Sequence, residues 1–352
     1  MNKTSLGHLA VGTSHPPVFI AEMSGNHGGS LDTALQLVDA MAKAGAHGLK
    51  LQTYTADTMT LDYDGPGFVV KEQGSLWAGE RLYDLYKRAY TPWEWHKPIF
   101  DRCRSHGMVC FSTPFDETAV DFLESLEVPC YKISSFECTD LPLIRRVAET
   151  AKPVIISTGM ASEAEISRAV ESARAAGCRD LVLLKCTSSY PAPIDQVHLR
   201  AIQSLADKFD CLVGMSDHTL GLAVPVAAVA LGAVLIEKHV ALSRADATVD
   251  GAFSLEPHEV ADLVRETTRA WQSLGSSELG CNAAEKDSLA YRRSVYVAKD
   301  VKAGERFTKE NLRAVRPGFG MSPEYLAHCI GKRARHDLCL GTPMRLDYVS
   351  ED

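Results

Sequence analysis

The sequence predicts a (β/α)8 TIM barrel followed by a small C-terminal β-rich domain. Between residues 18 and about 275, eight short apolar runs alternate with longer amphipathic segments, which is the size and pattern of an eight-stranded parallel barrel. Each run ends in polar side chains, as expected where all strand ends face one mouth. A doubly wound open sheet is the structural alternative, but no Gly-rich GxGxxG turn follows the first run.

The predicted strands are short apolar runs rich in β-branched residues, and helical patterns follow most of them. Apolar residues at spacings of three and four predict the first helix over 30–45, with Ser30 as its N-cap. The stretch 55–93 is too long for a simple loop, so we expect an inserted lid or short helices beside the mouth. The eight strands are predicted over 18–24, 47–54, 108–114, 130–135, 153–159, 181–187, 211–217 and 234–240.

The repeating pattern stops near residue 276, where a polar stretch begins. Beyond it, short strand patterns, two Gly-containing turns and little helix predict a small β-rich module. A module of about 60 residues can fold alone but often depends on a partner surface. We therefore expect a barrel domain over 1–275, a linker over 276–292 and a small domain over 293–352.

Composition excludes several functional classes. The 352 residues are 45% hydrophobic and 23% charged with a formal net charge of −8, which argues against non-specific binding to nucleic acid or anionic membrane. No run reaches the roughly 18 apolar residues of a membrane span, and the first residues lack the apolar core of an export signal. The ten cysteines are scattered without a CxxC pair, which indicates free thiols and a cytoplasmic location.

Two histidines stand at equivalent places in successive units. His218 follows the seventh predicted strand and His239 lies near the end of the eighth, so in a barrel both imidazoles point into one mouth. Neutral imidazole is the commonest metal ligand, and each histidine has a neighbouring carboxylate, Asp217 or Glu237, to orient it. We therefore expect a divalent metal, with hydrogen-bonded core histidines as the alternative.

Two lysines, Lys50 and Lys132, lie inside apolar runs, where an unpaired charge is costly. With nearby hydroxyls and helix N-termini they predict a site for a phosphate or carboxylate. A buried ion pair of either lysine with Glu22 or Glu137 is the alternative, and a single Ser or Thr at a strand end can instead be a helix N-cap. This inventory suits addition of a carbon nucleophile to a carbonyl, and a metal-assisted hydrolase fits it as well.

Eight motifs that contain the polar strand ends follow one another along the chain, namely AEMSGNHGGSLD (21–32), KLQTYTADTMTLD (50–62), FSTPFD (111–116), YKISSFE (131–137), ISTGM (156–160), KCTSSYP (185–191), GMSDHT (214–219) and EKHV (237–240). At these residues the sequence resembles the sialic acid synthase family, the phosphoenolpyruvate-dependent nonulosonic acid synthases, over nearly its whole length. The C-terminal segment resembles the antifreeze-like (SAF) domain of that family, a β-clip fold, with AVRPGFG (314–320) as its signature.

Within the family, KLQTYTADTMTLD, CTSSYP and AFSLEP (252–257) are similar to the branch that makes pseudaminic acid. The resemblance implies condensation of phosphoenolpyruvate with the open-chain aldehyde of 2,4-diacetamido-2,4,6-trideoxy-altrose, with release of phosphate by C–O cleavage. Branches that make neuraminic or legionaminic acid are the nearest alternatives. A metal-dependent barrel aldolase or hydrolase and a non-enzymatic sugar-binding protein are the more distant ones.

The resemblance also implies roles for individual residues. His218 and His239 would bind a divalent metal such as Mn, Mg or Co. The candidate catalytic carboxylates are Glu22, Glu137 and Glu237.

Contacts with both substrates follow from the same motifs. Phosphoenolpyruvate would contact Lys50, Thr113, Lys132, Ser135, Ser157, Ser188 and Ser216. The sugar would contact Gln52, Tyr190, Asp250 and Arg316, with Tyr54, Trp77, Tyr83, Trp93, Phe136 and Phe253 as aromatic candidates. In the family the arginine equivalent to Arg316 reaches the barrel of the other subunit, so we expect a domain-swapped homodimer.

Overall fold

Eight parallel strands close into a barrel in the computed structural model, which describes residues 3–71 and 76–351. The strands follow one another in chain order, and the last pairs with the first, with His239 opposite Glu22. The TIM barrel is confirmed, and each predicted run contains one of its strands. The strands of this unit are β1 Lys3–Leu6, β2 Leu9–Gly12, β3 Val18–Glu22, β4 Gly48–Thr53, β5 Val109–Pro114, β6 Tyr131–Ile133, β7 Val154–Ser157, β8 Leu181–Cys186, β9 Leu212–Ser216 and β10 Leu235–His239.

Helices surround the barrel strands. The first begins after Ser30, whose side chain accepts a hydrogen bond from the backbone N–H of Thr33, so the predicted N-cap is confirmed. Its apolar face is buried against the barrel. The helices of this unit are α1 Leu31–Lys43, α2 Ala56–Met59, α3 Leu82–Ala89, α4 Trp93–Ser105, α5 Glu117–Ser125, α6 Leu141–Ala148, α7 Glu163–Ala175, α8 Ala201–Phe209, α9 Ala223–Ala230 and α10 Pro257–Leu274.

Side chains of each barrel strand alternate between the interior and the surrounding helices, because successive residues of a strand point to opposite faces. In β3, Val18 and Ile20 belong to the interior core, and Glu22 is the next inward residue. The outward residues Phe19 and Ala21 belong to the larger core between the barrel and the helices. The interior is therefore apolar at its amino end and polar at its carboxyl end.

The hairpin β1–β2 closes the amino end of the barrel. Leu6 and Val11, one from each strand, are fully buried and join the interior core that contains Val18 and Phe111. The hairpin is not among the strands predicted from sequence, because each of its strands has four residues, too few for a clear alternating pattern.

Short helices lie between β4 and β5, as predicted for the lid over 55–93. This stretch contains α2 and α3 and the start of α4. Between the first two helices the chain folds back on itself, with the N–H of Val70 donating to the carbonyl of Glu80 at 2.9 Å. Residues 72–75 of the predicted lid lie outside the described residues.

The chain divides into two units, residues 1–275 and 276–352. The second contains an antiparallel pair, β11 Ser294–Val297 and β12 Leu312–Val315, and a short helix, α11 Leu326–Cys329. It has its own small core, which includes Phe307 and Met344. Within residues 3–71 and 76–351, every helix is too short or too polar to cross a membrane.

We expect Leu6→Ala to destabilise the barrel by about 2–5 kcal/mol, because it leaves a cavity below the interior core. All four tryptophans lie in the first unit, so urea unfolding followed by tryptophan fluorescence reports on that unit. Ser5→Ala, at an exposed position of the same strand, is the control and should change stability by less than about 0.5 kcal/mol. Equal stability of the two variants would contradict a plugging role for the hairpin.

Candidate active site

Two glutamates and two lysines from four strands meet at the carboxyl end of the barrel. Lys50 Nζ lies 2.5 Å from Glu22 Oε2 and 3.6 Å from Glu237 Oε1. Lys132 Nζ lies 3.5 Å from the same oxygen of Glu237. All four residues are at most 5% exposed. The space that they enclose together with His218 and His239 is the reactive cavity.

Burial and neighbouring charge act against each other on these groups. Burial lowers the pKa of Lys50, but Glu22 and Glu237 raise it more, so its pKa lies above the usual value. Burial also lowers the pKa of Lys132, and Glu237 offsets this only in part. Burial raises the pKa of Glu237, but the two lysines lower it more. Lys132 is therefore the less compensated of the two cations.

Hydroxyl groups surround the two lysines. Thr113 accepts a hydrogen bond from Lys50 at 3.2 Å, and Ser216 donates one to Glu237 at 3.5 Å. Ser157 Oγ and Glu237 Oε2 are buried and have no hydrogen-bond partner in the described part of the chain. Because buried polar atoms are nearly always paired, these two atoms mark a place where a polar ligand binds.

Ser135 and Ser188 approach each other beside Gly159. The backbone N–H of Gly159 donates to Ser135 Oγ at 3.1 Å. A Cβ atom at Gly159 would lie 2.8 Å from Ser135 Oγ and closer still to Ser188 Oγ. Glycine is therefore required for the two hydroxyls to meet here. Ser135 lines the reactive cavity, whereas Ser188 stands just outside its lining.

The two histidines face each other across the reactive cavity. Their ring centroids are 5.4 Å apart. His218 Nδ1 lies 3.0 Å from the carbonyl oxygen of Thr187, and because a carbonyl only accepts, this nitrogen carries the hydrogen of the neutral ring. The Nε2 of His218 is then free to bind a cation. His239 Nδ1 lies 3.5 Å from Asp250 Oδ2 and makes no hydrogen bond within the described residues.

A divalent metal fits this pair as a site with open positions. The described residues contain no group of three or more His, Cys, Asp or Glu side chains arranged to hold a metal. Two histidines would leave the other coordination positions to substrate and water, which is typical of catalytic sites and not of structural ones.

Neither of the two carboxylates expected to orient these histidines forms a hydrogen bond or ion pair with them in the described part of the chain. Glu237 faces the reactive cavity, whereas Asp217 forms a 2.6 Å ion pair with Lys238. The prediction that Asp217 orients His218 is wrong, and the carbonyl of Thr187 takes that place.

Gln52, Tyr190 and Asp250, the barrel residues predicted to contact a sugar, lie together at one side of the reactive cavity. Gln52 Nε2 donates a hydrogen bond to Glu22 at 2.8 Å. The ring of Tyr190 packs on His218, with centroids 4.4 Å apart. Tyr190 and Asp250 border the histidine pair.

One predicted site residue lies outside the reactive cavity, and another belongs to the second unit. Glu137 is outside the lining of the reactive cavity; it accepts a hydrogen bond from Ser134, and burial raises its pKa. The alternative of an ion pair between Lys132 and Glu137 is wrong, since Lys132 pairs with Glu237. Arg316 belongs to the second unit, where it is exposed.

The aromatic residues predicted to contact the sugar fall into two groups, those near the reactive cavity and those placed elsewhere. Phe253 packs 5.0 Å from His239, measured between ring centroids, and Tyr54, Trp77 and Phe136 line a chamber next to the reactive cavity. Tyr83 instead donates a hydrogen bond to Asp57 at the surface, and Trp93 stacks on Phe122. Those last two predictions are wrong.

Asn26 holds the loop after β10, a role that sequence reasoning missed. Its Nδ2 donates to the carbonyl of Val240 and to Ser254 Oγ, both at 2.8 Å. Its Oδ1 accepts from Thr248 Oγ1 at 2.7 Å and from the N–H of Asp250 at 3.1 Å. The amide therefore fixes the segment that carries Asp250. In the sequence, the position of this polar residue directly after the first barrel strand was the one indication of such a role.

Both units are similar to known proteins. Residues 37–279 match the NeuB family and residues 292–349 match the SAF domain. A pseudaminic acid synthase of Campylobacter jejuni subsp. jejuni serotype O:2 is 42% identical over 326 residues, 93% of this chain and 94% of that protein. A pseudaminic acid synthase of Helicobacter pylori is 38% identical over 335 residues, 95% of this chain and 98% of that protein.

A solved structure has the same architecture. The crystal structure of N-acetylneuraminic acid synthetase from Leptospira borgpetersenii serovar Hardjo-bovis, in complex with citrate, superposes with a TM-score of 0.74 at 33% identity. The match covers 83% of this chain and 96% of that one.

The two kinds of buried lysine should respond differently to mutation. Asp217→Asn leaves Lys238 buried without its counter-charge, which we expect to cost about 3–5 kcal/mol of unfolding free energy. Lys132→Met removes a poorly compensated charge from the reactive cavity and should leave stability unchanged or raise it by about 1 kcal/mol. Urea unfolding followed by tryptophan fluorescence measures both.

The double variant Asp217→Asn/Lys238→Met is the matched control, because it removes both charges of the outer pair. It should be more stable than Asp217→Asn alone. Equal losses for Asp217→Asn and Lys132→Met would contradict the distinction between a structural ion pair and a cavity charge.

Proposed function

The chain belongs to the NeuB family and carries a SAF domain, and from this we propose that it is a pseudaminic acid synthase. In this proposal it is a transferase that condenses phosphoenolpyruvate, the open-chain aldehyde of 2,4-diacetamido-2,4,6-trideoxy-altrose and water to pseudaminic acid and phosphate. Identity of 42% to the Campylobacter jejuni pseudaminic acid synthase, along 93% of the chain, supports the choice of sugar.

The observation that carries the proposal is the pair of lysines in the reactive cavity. Phosphoenolpyruvate has a phosphate and a carboxylate, and both need cationic or N–H and O–H donors. Lys132 Nζ lies 3.5 Å from Glu237, at the long limit of a hydrogen bond, so its N–H groups can still donate to an anion. The unpartnered Ser157 hydroxyl is a further donor. The remaining proposed contacts are Lys50, Thr113, Ser135, Ser188 and Ser216.

The proposed reaction forms one C–C bond and breaks one C–O bond. C3 of phosphoenolpyruvate attacks the aldehyde carbon, and positive charge develops at C2. Water adds to C2 and loses one proton, which balances the proton taken up by the former aldehyde oxygen. Phosphate then leaves with the C2–O bond electrons and takes up the proton of the new C2 hydroxyl, so that C2 becomes a ketone. Carboxylates beside C2 stabilise the developing charge.

Neighbouring side chains hold the two carboxylates of the reactive cavity to different degrees, and we assign the carboxylates different roles for this reason. Glu22 is held by Lys50 and by Gln52, so we assign it to stabilisation of positive charge. Glu237 lies 3.6 and 3.5 Å from the two lysines, so its carboxylate is held more loosely than that of Glu22, and we assign it to the proton of the attacking water. Glu137, outside the cavity lining, has no step in this scheme.

His218 and His239 would hold the divalent metal, Mn, Mg or Co, and Gln52, Tyr190 and Asp250 would contact the sugar. A bound metal polarises the aldehyde oxygen. The hydrogen bond from His218 Nδ1 to Thr187 keeps the other ring nitrogen available as a ligand. The Tyr190 ring covers His218 and excludes water from that side.

We also propose a domain-swapped homodimer in which Arg316 of one chain contacts the sugar in the barrel of its partner. Arg316 is exposed and lies in the segment that resembles the SAF signature. An exposed arginine suits recognition of polar sugar groups or a carboxylate across an interface.

A cytoplasmic location is part of the proposal. All ten cysteines lie in the described part of the chain, and none forms a disulfide. Free thiols persist in reducing compartments.

The second candidate is a synthase for N-acetylneuraminic or legionaminic acid. The Leptospira borgpetersenii N-acetylneuraminic acid synthetase, with 33% identity and a TM-score of 0.74, supports it. The two candidates share the proposed chemistry and differ in the sugar.

Phosphate release with phosphoenolpyruvate, Mn and single sugars tests the proposal. We expect phosphate, and a product with the mass of pseudaminic acid, with 2,4-diacetamido-2,4,6-trideoxy-altrose and not with N-acetylmannosamine or 2,4-diacetamido-2,4,6-trideoxy-mannose. EDTA should abolish the release and added metal should restore it. His218→Ala should lower the rate at least about 100-fold.

His258→Ala is the control, because this histidine is exposed on the same unit. Phosphate with one of the other sugars alone would move the assignment to the corresponding sibling synthase. Turnover of sugar without phosphoenolpyruvate would favour a barrel aldolase or hydrolase, and no phosphate with any sugar would refute the synthase.

Subunit complementation tests the proposed domain swap. His218→Ala and Arg316→Ala should each be inactive, since each breaks the site from a different chain. Unfolded and refolded together in equal amounts, they should regain about a quarter of the wild-type rate, because half of the dimers are mixed and one site in each is intact. A mixture as inactive as its parents would contradict the swap.

A further inference from the structure

A second space lies next to the reactive cavity, and one of its walls is the inserted helix α3. Gln52, Tyr190 and His239 line both spaces, so the two adjoin at these residues. The wall away from this junction is formed by Met59, Val70, Trp77, Leu82, Leu85 and Tyr86, and we call this space the apolar chamber.

The apolar face of α3 is directed at the chamber. Leu82, Leu85, Tyr86 and Ala89 recur at spacings of three, four and seven, which places them on one face of the helix. All four line the chamber. In the described residues none of them belongs to the hydrophobic core clusters of the barrel. Apart from the contact of Ala89 with the barrel, this apolar surface therefore lies toward the chamber.

The chamber wall is held firmly on the barrel. Ala89 packs so closely on Gly25 that a Cβ atom at Gly25 would lie 3.1 Å from the carbonyl oxygen of Ala89. Trp77 Nε1 donates to the carbonyl of Val249 at 3.1 Å, next to Asp250. The wall is thus tied to the strand end after β3 and to the loop after β10, both of which border the reactive cavity.

We infer that the apolar chamber selects sugars with a methyl group at C6, with Leu82 and Leu85 as the specificity-determining residues. This inference rests on the proposed function. A sugar whose aldehyde lies at the histidine pair extends its other end through the junction into the chamber. Apart from the hydroxyl of Tyr86, the side chains that α3 contributes there are hydrocarbon, so a C6 methyl is buried favourably and a C6 hydroxyl loses its water partners.

The expected selectivity is moderate. An apolar pocket rejects a substrate that adds one hydroxyl by about 10–100-fold, because the penalty is the loss of hydration and not a steric clash. The sugar with a C6 hydroxyl should therefore have a lower kcat/KM than the sugar with a C6 methyl group, whereas the KM for phosphoenolpyruvate should be unchanged.

The test compares two sugars that differ only at C6, 2,4-diacetamido-2,4,6-trideoxy-altrose and 2,4-diacetamido-2,4-dideoxy-altrose, by phosphate release. The wild-type chain should prefer the first by about 10–100-fold in kcat/KM. Leu82→Asn, which keeps the number and branching of the side-chain heavy atoms and adds an amide, should lower this ratio at least about 10-fold, with the KM for phosphoenolpyruvate unchanged.

Leu82→Met is the matched control, because it keeps the wall apolar, and it should retain the wild-type ratio. Lys87→Asn places the same amide on the exposed face of α3 and should also retain it. Turnover of both sugars by Leu82→Asn with the wild-type ratio would overturn the chamber's role and leave the synthase intact. Turnover of neither sugar by the wild-type chain would overturn the proposed function and this inference together.

Discussion

Glu237 is the negative charge that two buried lysines share, and the arrangement of the candidate site depends on it. Lys50 and Lys132 project from β4 and β6 into the same space, where their mutual repulsion and the loss of water favour the neutral amines. Glu22 is the nearer counter-charge of Lys50, and Glu237 lies 3.6 and 3.5 Å from the two lysines, near enough to stabilise both charges but at the long limit of a hydrogen bond to either. The cavity can therefore keep its cations charged while leaving donors for an anionic ligand.

The strand alternation explains how much of this site was predictable. Inward residues of a barrel strand recur every second position, so Ser216 and His218 on one strand end both point inward. Glu237 and His239 on the next strand also point inward. The same rule turns Asp217 and Lys238 outward, where they pair. Applied strictly, it excludes Asp217 as a partner of His218. The barrel, its strands and the ring of polar strand ends follow from local patterns, and these predictions were correct.

The parts that were not predictable depend on contacts between distant residues. Asn26 is more than 200 positions from the loop it holds, and no local pattern couples the two. The hairpin β1–β2 acquires its role only when Leu6 meets the interior core. Whether Lys132 pairs with Glu137 or Glu237 depends on the closure of the barrel, which brings β6 opposite β10 across the reactive cavity. Spacing along the chain cannot decide between two such carboxylates.

The reactive cavity and the apolar chamber are built on different kinds of backbone. The lysines, glutamates and histidines project from strands or strand ends that are fixed by barrel hydrogen bonds on both sides. The α3 wall belongs to an insertion between β4 and β5. Substitutions in this insertion need not alter the pairing register of the barrel strands. The proposed condensation chemistry can thus remain constant while the chamber changes. Relatives of the chain include a pseudaminic acid synthase and an N-acetylneuraminic acid synthetase, and this separation would let the sugar change without rebuilding the proposed phosphoenolpyruvate site.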